Sequence, residues 1–441
     1  MPARPRSTTG EFCRRRRMAS EPAHFRAVVI GVLGVIAALV FRSPALLVLA
    51  APFAYIAAWG TVTRPNRNPS LAGSLYPTSV REGEAAAWTG RLDHIDGVDH
   101  VVLFAQSRAW VETQPSSGVV SVDTDRCTDV ELSLPMRAVR WGHHVVGPIN
   151  VVSSSPWGAF RSRGLDAGKR LTALPLPDAF DAAHSGLRAN GLVGLHRSTH
   201  PGDGNEFAGI RPFQTGDRLR RINWRRSLRS SELHVTATYA DQDTHLILLV
   251  DAHTDFGESG GIDGQASSLD TTVRAAGAIA EHFLTRGDRV SLRVWDSRFS
   301  AHVNPAGGAR QLRRILDVLA AIEPGENRFV SIATDRSVLP GDALAIVLSP
   351  LVSPSVLQRA NTIASHGLSV AVIDTLPPDV HLDDDAATAL AWRIRLLERH
   401  REVRSIQRVG VPVVTWAGPG SLDPVLREIA RRSSAPRLAH R

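Results

Sequence analysis

The sequence contains little cysteine and almost no lysine. Among its 441 residues only Cys13 and Cys127 carry thiols, and their wide separation implies no disulfide framework. Such a chain suits a reducing compartment. Lys169 is the only lysine, so nearly all of the positive charge comes from arginine.

Sequence patterns typical of enzymes are also lacking. There is no nucleophile elbow and no cysteine–histidine pair at a useful spacing. The glycine-rich stretch 257–264 lacks the Gly-Lys-Ser/Thr ending of a phosphate-binding loop, and we interpret it as a flexible excursion. These absences favour an interaction protein over an enzyme.

Length and charge limit the architecture and the choice of partner. A chain of 441 residues is too long for one compact core, so we expect two or three domains. The net charge of +8 suits contact with an anionic partner, such as phosphate, nucleic acid or lipid headgroups. The simpler alternative is a basic region beside a membrane together with scattered surface arginines.

Two apolar runs near the start of the chain predict a transmembrane helical hairpin over residues 26–61. Residues 27–41 and 44–60 contain no charged side chain, and each run is near the short end of the about 20 residues that span a bilayer. Tyr55 and Trp59 suit the aromatic belt at a membrane surface. A signal peptide or a buried soluble hairpin gives a similar pattern, but a second apolar run directly after the first disfavours a signal peptide.

Arginines flank this hairpin on both sides. By the positive-inside rule, the basic tail, residues 1–25, and the chain after the second run both lie in the cytoplasm. The sequence therefore predicts a two-pass protein of the plasma membrane with its soluble domains in the cytoplasm. The flanking arginines are Arg14, Arg15, Arg16, Arg17 and Arg26 before the hairpin, and Arg64 and Arg67 after it.

The middle of the chain, residues 70–163, consists of short β-rich runs separated by turn residues. Alternation of this kind, without a useful helical period, predicts a small β-sandwich-like domain. We expect this domain to act in scaffolding or partner contact. The following segment, residues 164–204, is rich in alanine, glycine, proline and histidine and is expected to be a connector.

Strand-like and helix-like runs alternate from residue 241 to 432. The alternation predicts an α/β doubly wound domain, with a parallel sheet covered by helices on both faces. Ligands of such sheets bind at the carboxyl edge, where Asp251 follows the first strand. The expected strands are 246–250, 290–295, 344–348, 368–373 and 411–415, and the expected helices are 269–285, 310–322, 354–366 and 386–408.

The most informative stretch is 211–229, within a segment that we place at residues 205–240. Seven of its nineteen positions are arginine. Apolar residues are interleaved with the arginines, and a solvated basic tail would not carry so many of them. We therefore expect the stretch to fold. Its apolar residues are Phe213, Leu219, Ile222, Trp224 and Leu228.

This stretch resembles the signature of a bacterial family, the domain of unknown function 58 family. Along the chain, the signature consists of Arg-x-aromatic, then Gly-Asp, then Arg-Arg-Ile-Asp-Trp, and finally a closing arginine. Two positions depart from it, because Pro212 stands where an acid is usual and Asn223 replaces aspartate. The chain from about residue 27 to 432 resembles the family more loosely. The matching residues are Arg211, Phe213, Gly216, Asp217, Arg220, Arg221, Ile222, Trp224 and Arg229.

Three interpretations of the signature stretch remain open. In the first, its arginines are buried as an ion-pair cluster with Asp217, Glu206 and Glu232, and Trp224 stacks on a guanidinium. In the second, the stretch is a docking surface for an acidic partner or a phosphate-bearing ligand. In the third, the arginines contact nucleic-acid phosphates, although no known reading module is visible.

The resemblance implies that the α/β domain is von Willebrand factor A-like. Metal-binding domains of that type carry Asp-x-Ser-x-Ser after the first strand and hold a divalent cation through oxygen ligands. Here Asp251 is kept, but His253 and Asp255 replace the two serines, and Pro350 follows Ser349 where many relatives have aspartate. The three residues are therefore either candidate ligands for magnesium or manganese, or a remnant in which Asp251 caps the following turn or pairs with nearby arginines.

The resemblance also implies a function. Relatives are associated with MoxR-type AAA+ ATPases and are thought to assist assembly or maturation of other complexes. We therefore expect a membrane-anchored, non-catalytic adaptor protein that works with such an ATPase. The alternatives are a metal-dependent hydrolase that uses Asp251, His253 and Asp255, and a membrane-tethered nucleic-acid-binding protein.

Overall fold

A computed structural model describes most of the chain. The described residues are 18–65, 67–106, 108–124, 127–177, 201–215, 217–230, 232–239, 245–295, 301–324, 343–366, 368–380 and 386–418. The chain divides into two compact units, Met1–Ala173 and Leu174–Arg441.

The described part of the first unit begins with a short strand and two long helices. They are β1 (Ala19–Ser20), α1 (Pro22–Val40) and α2 (Pro44–Val62). Both helices are long and apolar enough to cross a membrane, judged by length and composition. Each starts with proline, which suits the first helical turn because an N–H there has no partner within the helix. Between them, Arg42 adopts a positive φ of 51° in a tight turn.

Small residues allow α1 and α2 to lie close together. A Cβ on Gly34 would lie 2.6 Å from the Cβ of Ala50, and a Cβ on Gly31 would lie 3.0 Å from the backbone nitrogen of Ala54. Helices in apolar surroundings associate through such close van der Waals contact. The two helices therefore form a tight hairpin.

The rest of the first unit is a sheet region of short strands, in line with the alternating pattern. The strands are β2 (Ser70–Tyr76), β3 (Ser79–Arg81), β4 (Ala85–Asp93), β5 (His100–Ala105), β6 (Val111–Thr113), β7 (Val119–Asp123), β8 (Asp129–Ala138), β9 (Gly142–Val146), β10 (Ile149–Ser154), β11 (Phe160–Asp166) and β12 (Lys169–Leu174). They form one sheet in the order β1-β11-β10-β5-β7, a second in the order β2-β4-β8-β6 and a third in the order β3-β12-β9.

These sheets share one hydrophobic core, and Trp88 is its largest fully buried side chain. The indole Nε1 of Trp88 donates a hydrogen bond to Asp166 Oδ2 at 2.7 Å. Glycines make room for the ring, because a Cβ on Gly90 would lie 2.0 Å from Cη2 of Trp88 and one on Gly73 would lie 2.8 Å from its Cζ2. Other members of the core are Leu92, Leu103, Leu132, Leu134, Ile149 and Leu171.

The sheet region extends past residue 163, where we expected it to end. β11 and β12 carry it to Leu174 because Leu171 and Ala173 alternate into the core on either side of the half-buried Thr172. The first part of the expected connector 164–204 is therefore strand. Its residues 178–200 lie outside the described residues.

The second unit contains a two-stranded hairpin and a larger open sheet. The hairpin pairs β13 (Pro201–Pro212) with β14 (His234–Tyr239) in antiparallel fashion. Between the two strands lie a 3-10 turn (Leu219–Arg221) and the short helix α3 (Trp224–Ser230).

The open sheet alternates with helices, and each of the expected strands and helices from residue 246 to 415 has a counterpart. The strands are β15 (His245–Asp251), β16 (Arg289–Trp295), β17 (His302–Ala306), β18 (Leu344–Ser349), β19 (Ser369–Asp374) and β20 (Val413–Thr415), and the helices are α4 (Ser268–Thr285), α5 (Ala309–Ala320), α6 (Pro354–Ser365) and α7 (Ala386–Arg408). Across the sheet the strands follow the order β17-β16-β15-β18-β19-β20.

Both faces of this sheet are covered. Ile247 and Leu249 of β15 belong to a core cluster that includes Val356 of α6 and Ile406 of α7. The intervening Leu248 is also fully buried and points to the opposite face, because successive strand residues alternate. Helix α4 packs there on β15, β16 and β18, with α5 beside it.

One strand departs from the expected parallel arrangement. β17 pairs antiparallel with β16 at the edge of the sheet, and the sequence had not indicated this strand. It is short and contains Pro305, which lacks an N–H and is tolerated in a sheet at an edge. The other neighbouring pairs in this sheet are parallel.

We expect Gly90→Val to loosen the first unit, because its side chain would meet the buried ring of Trp88. Overpacking of this kind costs about 2 kcal/mol of local stability, measurable by hydrogen exchange in β4. Ala85→Val is the matched control, since Ala85 lies on the same strand but is exposed. Equal exchange in the two variants would contradict close packing of Gly90 on Trp88.

Candidate functional site

The signature stretch connects the two strands of the β13–β14 hairpin. In the ladder, Ile210 pairs with Thr236 and Arg211 pairs with Val235. Beyond the ladder the backbone N–H of Phe213 donates to the carbonyl of Leu233 at 2.8 Å. The stretch is therefore folded, as expected, with both of its ends fixed by a sheet.

An ion pair closes the first half of the stretch. The guanidinium of Arg211 donates through its two terminal nitrogens to both carboxylate oxygens of Asp217, at 2.8 and 2.6 Å. Asp217 also accepts the backbone N–H of Gln214 at 2.8 Å. These bonds favour the charged forms, so the pKa of Asp217 is lowered and the pKa of Arg211 is raised. The stabilisation is complete at neutral pH and is lost when acid protonates Asp217 below the ordinary pKa of an aspartate.

Asn223, the position that departs from the family pattern, caps α3. Its side-chain Oδ1 accepts the backbone N–H of Arg226 at 3.1 Å, and its carbonyl accepts the N–H of Ser227 at 3.0 Å. Asparagine and aspartate are equally good at this position. The replacement of aspartate by Asn223 therefore preserves the structural role.

The inner side of α3 is attached to β14. The buried Ile222 forms a bridge with Val235, and the buried hydroxyl of Ser227 accepts the backbone N–H of His234 at 2.9 Å. These contacts fix the direction in which the rest of α3 faces. Because Ser227 is on the inner side, Arg225 and Arg229 are placed on the outer side by the 100° step per residue.

The outward-facing side chains make up an arginine-rich surface with exposed apolar groups. Trp224 is 62% exposed and Leu228 is 85% exposed, and their four-residue spacing places them on one flank of α3. The arginines around them are exposed as well. We define the arginine-rich surface as Arg218, Leu219, Arg220, Trp224, Arg225, Arg226, Leu228 and Arg229.

The interpretation as a buried ion-pair cluster holds for Arg211 and Asp217 but not for most of the other arginines. The side chain of Glu206 lies outside the described residues. Only Arg211 and Arg221 of the seven arginines are half-buried, and the others are exposed. Glu232 is exposed, and no cation–π contact of Trp224 is found among the described residues. The physical reason is that the stretch is short and lies on one hairpin, which offers no interior large enough for seven guanidinium groups. Gly216 of the signature lies outside the described residues.

We expect Asn223→Ala to fray α3, because the N–H of Arg226 would lose its acceptor. The loss of such a cap costs about 1 kcal/mol and would appear as faster hydrogen exchange over residues 224–230. Asn223→Asp is the conservative control and should exchange like the wild type. Identical exchange in the alanine variant would show that the cap does not hold the helix.

The second candidate site lies at the carboxyl edge of the open sheet. Asp251 is buried at the end of β15. Its Oδ2 accepts the hydroxyl of Ser349, at the end of the neighbouring β18, at 2.6 Å, and its Oδ1 accepts the backbone N–H of His253 at 3.1 Å. Ser349 Oγ in turn accepts the N–H of Leu351 at 2.9 Å. This network ties together the chain segments that leave β15 and β18.

Asp255 is used in a different way. Its carboxylate accepts the hydroxyls of Ser267 and Ser268 at 3.0 and 3.2 Å and the backbone N–H of Leu269 at 2.9 Å. Ser267 also forms a capping box with Asp270 at the start of α4. Asp255 therefore fixes its own loop on the N-terminus of α4, where a negative charge is favoured.

Further polar residues, for which no role was expected from the sequence, connect the end of β18 with α4. Thr272 of α4 forms a 2.6 Å hydroxyl–hydroxyl hydrogen bond with Thr375, whose N–H donates to the carbonyl of Ser349 at 3.0 Å. At the end of β19, Asp374 forms an ion pair with the buried Arg399 of α7. The sequence does contain a signal for Asp374, because this aspartate directly follows the expected strand 368–373, as Asp251 follows the expected strand 246–250.

The carboxylates of Asp251 and Asp255 are already engaged by groups of the protein. Asp251 and Asp255 accept hydrogen bonds from protein groups on all four carboxylate oxygens. Within the described residues, no group of three histidine, cysteine, aspartate or glutamate side chains is placed to hold a metal ion. Asp251, His253 and Asp255 are close in sequence, but the two carboxylates serve two separate structural tasks.

We expect calorimetric titration of the full-length protein in detergent with magnesium, manganese or zinc to give no heat that depends on Asp251. The reason is that Ser349 and the N–H of His253 already occupy its carboxylate. Asp251→Ala and wild type should therefore give the same titration. Binding by the wild type that disappears in the variant would contradict this assignment.

The described residues thus contain an apolar helical hairpin, a sheet region, an arginine-rich β-hairpin and an open α/β sheet. Residues 209–391 match the model of the family described as protein of unknown function DUF58. The resemblance drawn from the signature is thereby confirmed over that part of the chain.

Curated relatives come from mycobacteria. The uncharacterized protein Mb1516 of Mycobacterium bovis and the uncharacterized protein Rv1480 of Mycobacterium tuberculosis are each 27% identical to this chain over 201 residues. The match covers 44% of this chain and 62% of each relative, which is less than two thirds of their length.

Two solved structures show weak, local likeness. The cupredoxin domain of amoB from Nitrosocaldus yellowstonii is 12% identical with a TM-score of 0.17, covering 25% of this chain and 88% of that domain. Macromomycin is 13% identical with a TM-score of 0.13, covering 22% of this chain and 98% of macromomycin. These scores are too low to indicate a shared fold.

Proposed function

We propose that the chain is a membrane-anchored, non-catalytic adaptor that docks an acidic partner protein through its arginine-rich surface. The observation that carries this proposal is the exposure of Trp224 and Leu228 beside Arg225 and Arg229 on a helix that is capped and attached from behind. Contiguous exposed apolar patches on soluble proteins, especially those bordered by polar residues, mark interaction sites.

The chemistry of the arginine-rich surface indicates the kind of partner. Tryptophan and arginine are enriched among the residues that contribute most to protein–protein binding. Guanidinium groups bind carboxylates through paired hydrogen bonds, as Arg211 already does with Asp217. A partner with acidic residues around an apolar groove therefore fits this surface. The family resemblance suggests a MoxR-type AAA+ ATPase as that partner.

The membrane part of the proposal rests on the hairpin. Two apolar helices of 19 residues each are joined by a tight turn, and arginines flank the free ends. We propose that α1 and α2 span the plasma membrane, with both ends and the two large folded regions in the cytoplasm.

In this proposal the open sheet is a von Willebrand factor A-like module. Counted along the chain, its strand order is 3-2-1-4-5-6, the order of many doubly wound sheets. The carboxyl edge, held by Asp251 and Ser349, would present contacts to a client protein without a cation. A metal-dependent hydrolase built on Asp251, His253 and Asp255 has less support, because both carboxylates accept hydrogen bonds from the protein.

We expect the double charge reversal Arg225→Glu/Arg229→Glu to weaken binding of a purified MoxR-type ATPase at least roughly 30-fold, because the loss of even one arginine hot spot costs about 2 kcal/mol. Binding would be measured by surface plasmon resonance on full-length protein in nanodiscs. Wild-type affinity should also fall with added salt, since charge attraction is screened.

The matched control is Arg310→Glu/Arg314→Glu. These arginines are also exposed and four residues apart, but they lie on α5 of the open sheet. The control should bind like the wild type. Unchanged binding by the α3 double variant would refute docking at the arginine-rich surface. Loss of binding to duplex DNA, rather than to the ATPase, would favour the nucleic-acid alternative.

A further inference from the structure

The hairpin and the sheet unit are joined by direct contacts at one end of the helices. β1, directly before α1, pairs with β11, so that Ala19 lies opposite Arg161 and Ser20 lies opposite Phe160. The next residue, Glu21, donates its backbone N–H to the carbonyl of Ala159 at 3.0 Å. Helix α1 therefore starts beside the turn that precedes β11.

Side chains of both helices pack on this same turn. The ring of His24 in α1 lies 5.3 Å from the ring of Phe160, centroid to centroid. On α2, Gly60 is so close that a Cβ there would lie 2.5 Å from His24 Cε1 and 3.0 Å from the Cβ of Ala159. The start of α1, the end of α2 and the turn thus form one packed junction.

The position of this junction along the helices can be compared with the bilayer. At 1.5 Å per residue, each 19-residue helix is about 28 Å long, close to the about 30 Å of hydrocarbon in a membrane. His24 and Gly60 each lie two residues from the helix end, or about 3 Å along the axis. If α1 and α2 span the membrane, the turn therefore lies at the boundary between hydrocarbon and headgroups.

The turn exposes a tryptophan at this level. Trp157, in the 3-10 turn Pro156–Gly158 that contacts α2, is 76% exposed. It has a φ of 60°, a conformation that costs energy for a bulky residue. The buried Ser155 fixes the turn, since its hydroxyl accepts the N–H of Phe160 at 2.9 Å and its carbonyl accepts the N–H of Gly158 at 2.9 Å. These bonds fix the backbone of the turn that carries the exposed indole.

Cationic groups surround the same junction. The guanidinium of Arg64 lies over the Phe160 ring, 5.3 Å from its centroid, and Arg161 forms an ion pair with Glu21 at 2.9 Å. Arg26 is exposed one turn into α1, from where a long side chain can extend its charge toward the surface of a membrane. Lipid phosphates are the anions available at that depth.

We propose that the turn carrying Trp157 is a second membrane anchor, whose indole inserts into the headgroup layer of the bilayer beside α2. This inference rests on the proposed membrane-spanning hairpin. Tryptophan is enriched at that layer because its ring is apolar and its N–H is polar. Trp59, near the same end of α2 and 45% exposed, supplies a second indole at this level.

The test uses full-length protein in vesicles of phosphatidylcholine and phosphatidylglycerol, with or without bromine on the acyl chains near the headgroups. Bromine quenches nearby indoles, and the emission of one tryptophan is obtained by subtracting a tryptophan-to-phenylalanine variant from the wild type. We would prepare Trp157→Phe, Trp59→Phe and Trp224→Phe. Trp157→Gly is added because glycine fits the positive φ without strain and should give the same difference as Trp157→Phe.

We expect bromine to remove the emission of Trp157 and of Trp59, and to leave that of the similarly exposed Trp224. If the emission of Trp59 is quenched but that of Trp157 is not, the second anchor is refuted and the membrane-spanning hairpin is retained. If neither is quenched, the membrane-spanning hairpin of the proposed function fails together with the anchor.

Discussion

Backbone N–H groups at the start of a helix or in a tight turn need acceptors, and in this protein side-chain oxygens supply them at each surface of interest. Asn223 accepts an N–H of α3, Asp255 accepts an N–H of α4, and Ser155 accepts the N–H that follows the Trp157 turn. These hydrogen bonds fix the backbone beneath each surface. The directions of the exposed side chains at each surface therefore depend on them.

This dependence explains how the departures from the family signature and from the metal-binding pattern are accommodated. The amide oxygen of Asn223 accepts the N–H that a carboxylate oxygen of aspartate would accept, so the cap of α3 is preserved. Asp255 adds a carboxylate where a serine is usual, and that carboxylate turns to the N-terminus of α4. Ser349 brings a hydroxyl to Asp251. The carboxyl edge is therefore organised by hydrogen bonds within the protein.

Much of the α/β sheet could be predicted from the sequence, because buried parallel strands such as 246–250 are continuous apolar runs bounded by amphipathic helices. β17 could not, since an edge strand with a proline carries little apolar signal. The end of the sheet unit was placed too early because Leu171 and Ala173 are only two apolar positions in a short strand. In the signature, folding was predictable from interleaved apolar residues, but burial was not. Whether Trp224 and Leu228 face a core or solvent depends on what the hairpin packs against, and that is decided by contacts distant in sequence.

The way in which the hairpin enters the first unit has a mechanical consequence. α1 is preceded by a strand of one sheet and α2 is followed by a strand of another, and the backbone N–H of Met18 donates to Asn68 Oδ1 at 3.1 Å between the two entry points. One residue separates β1 from α1, and seven residues separate α2 from β2, so each helix leads closely into a different sheet of the unit. A pull on the sheet unit would therefore reach α1 as shear across the short β1–β11 ladder, because a single residue separates that ladder from the helix.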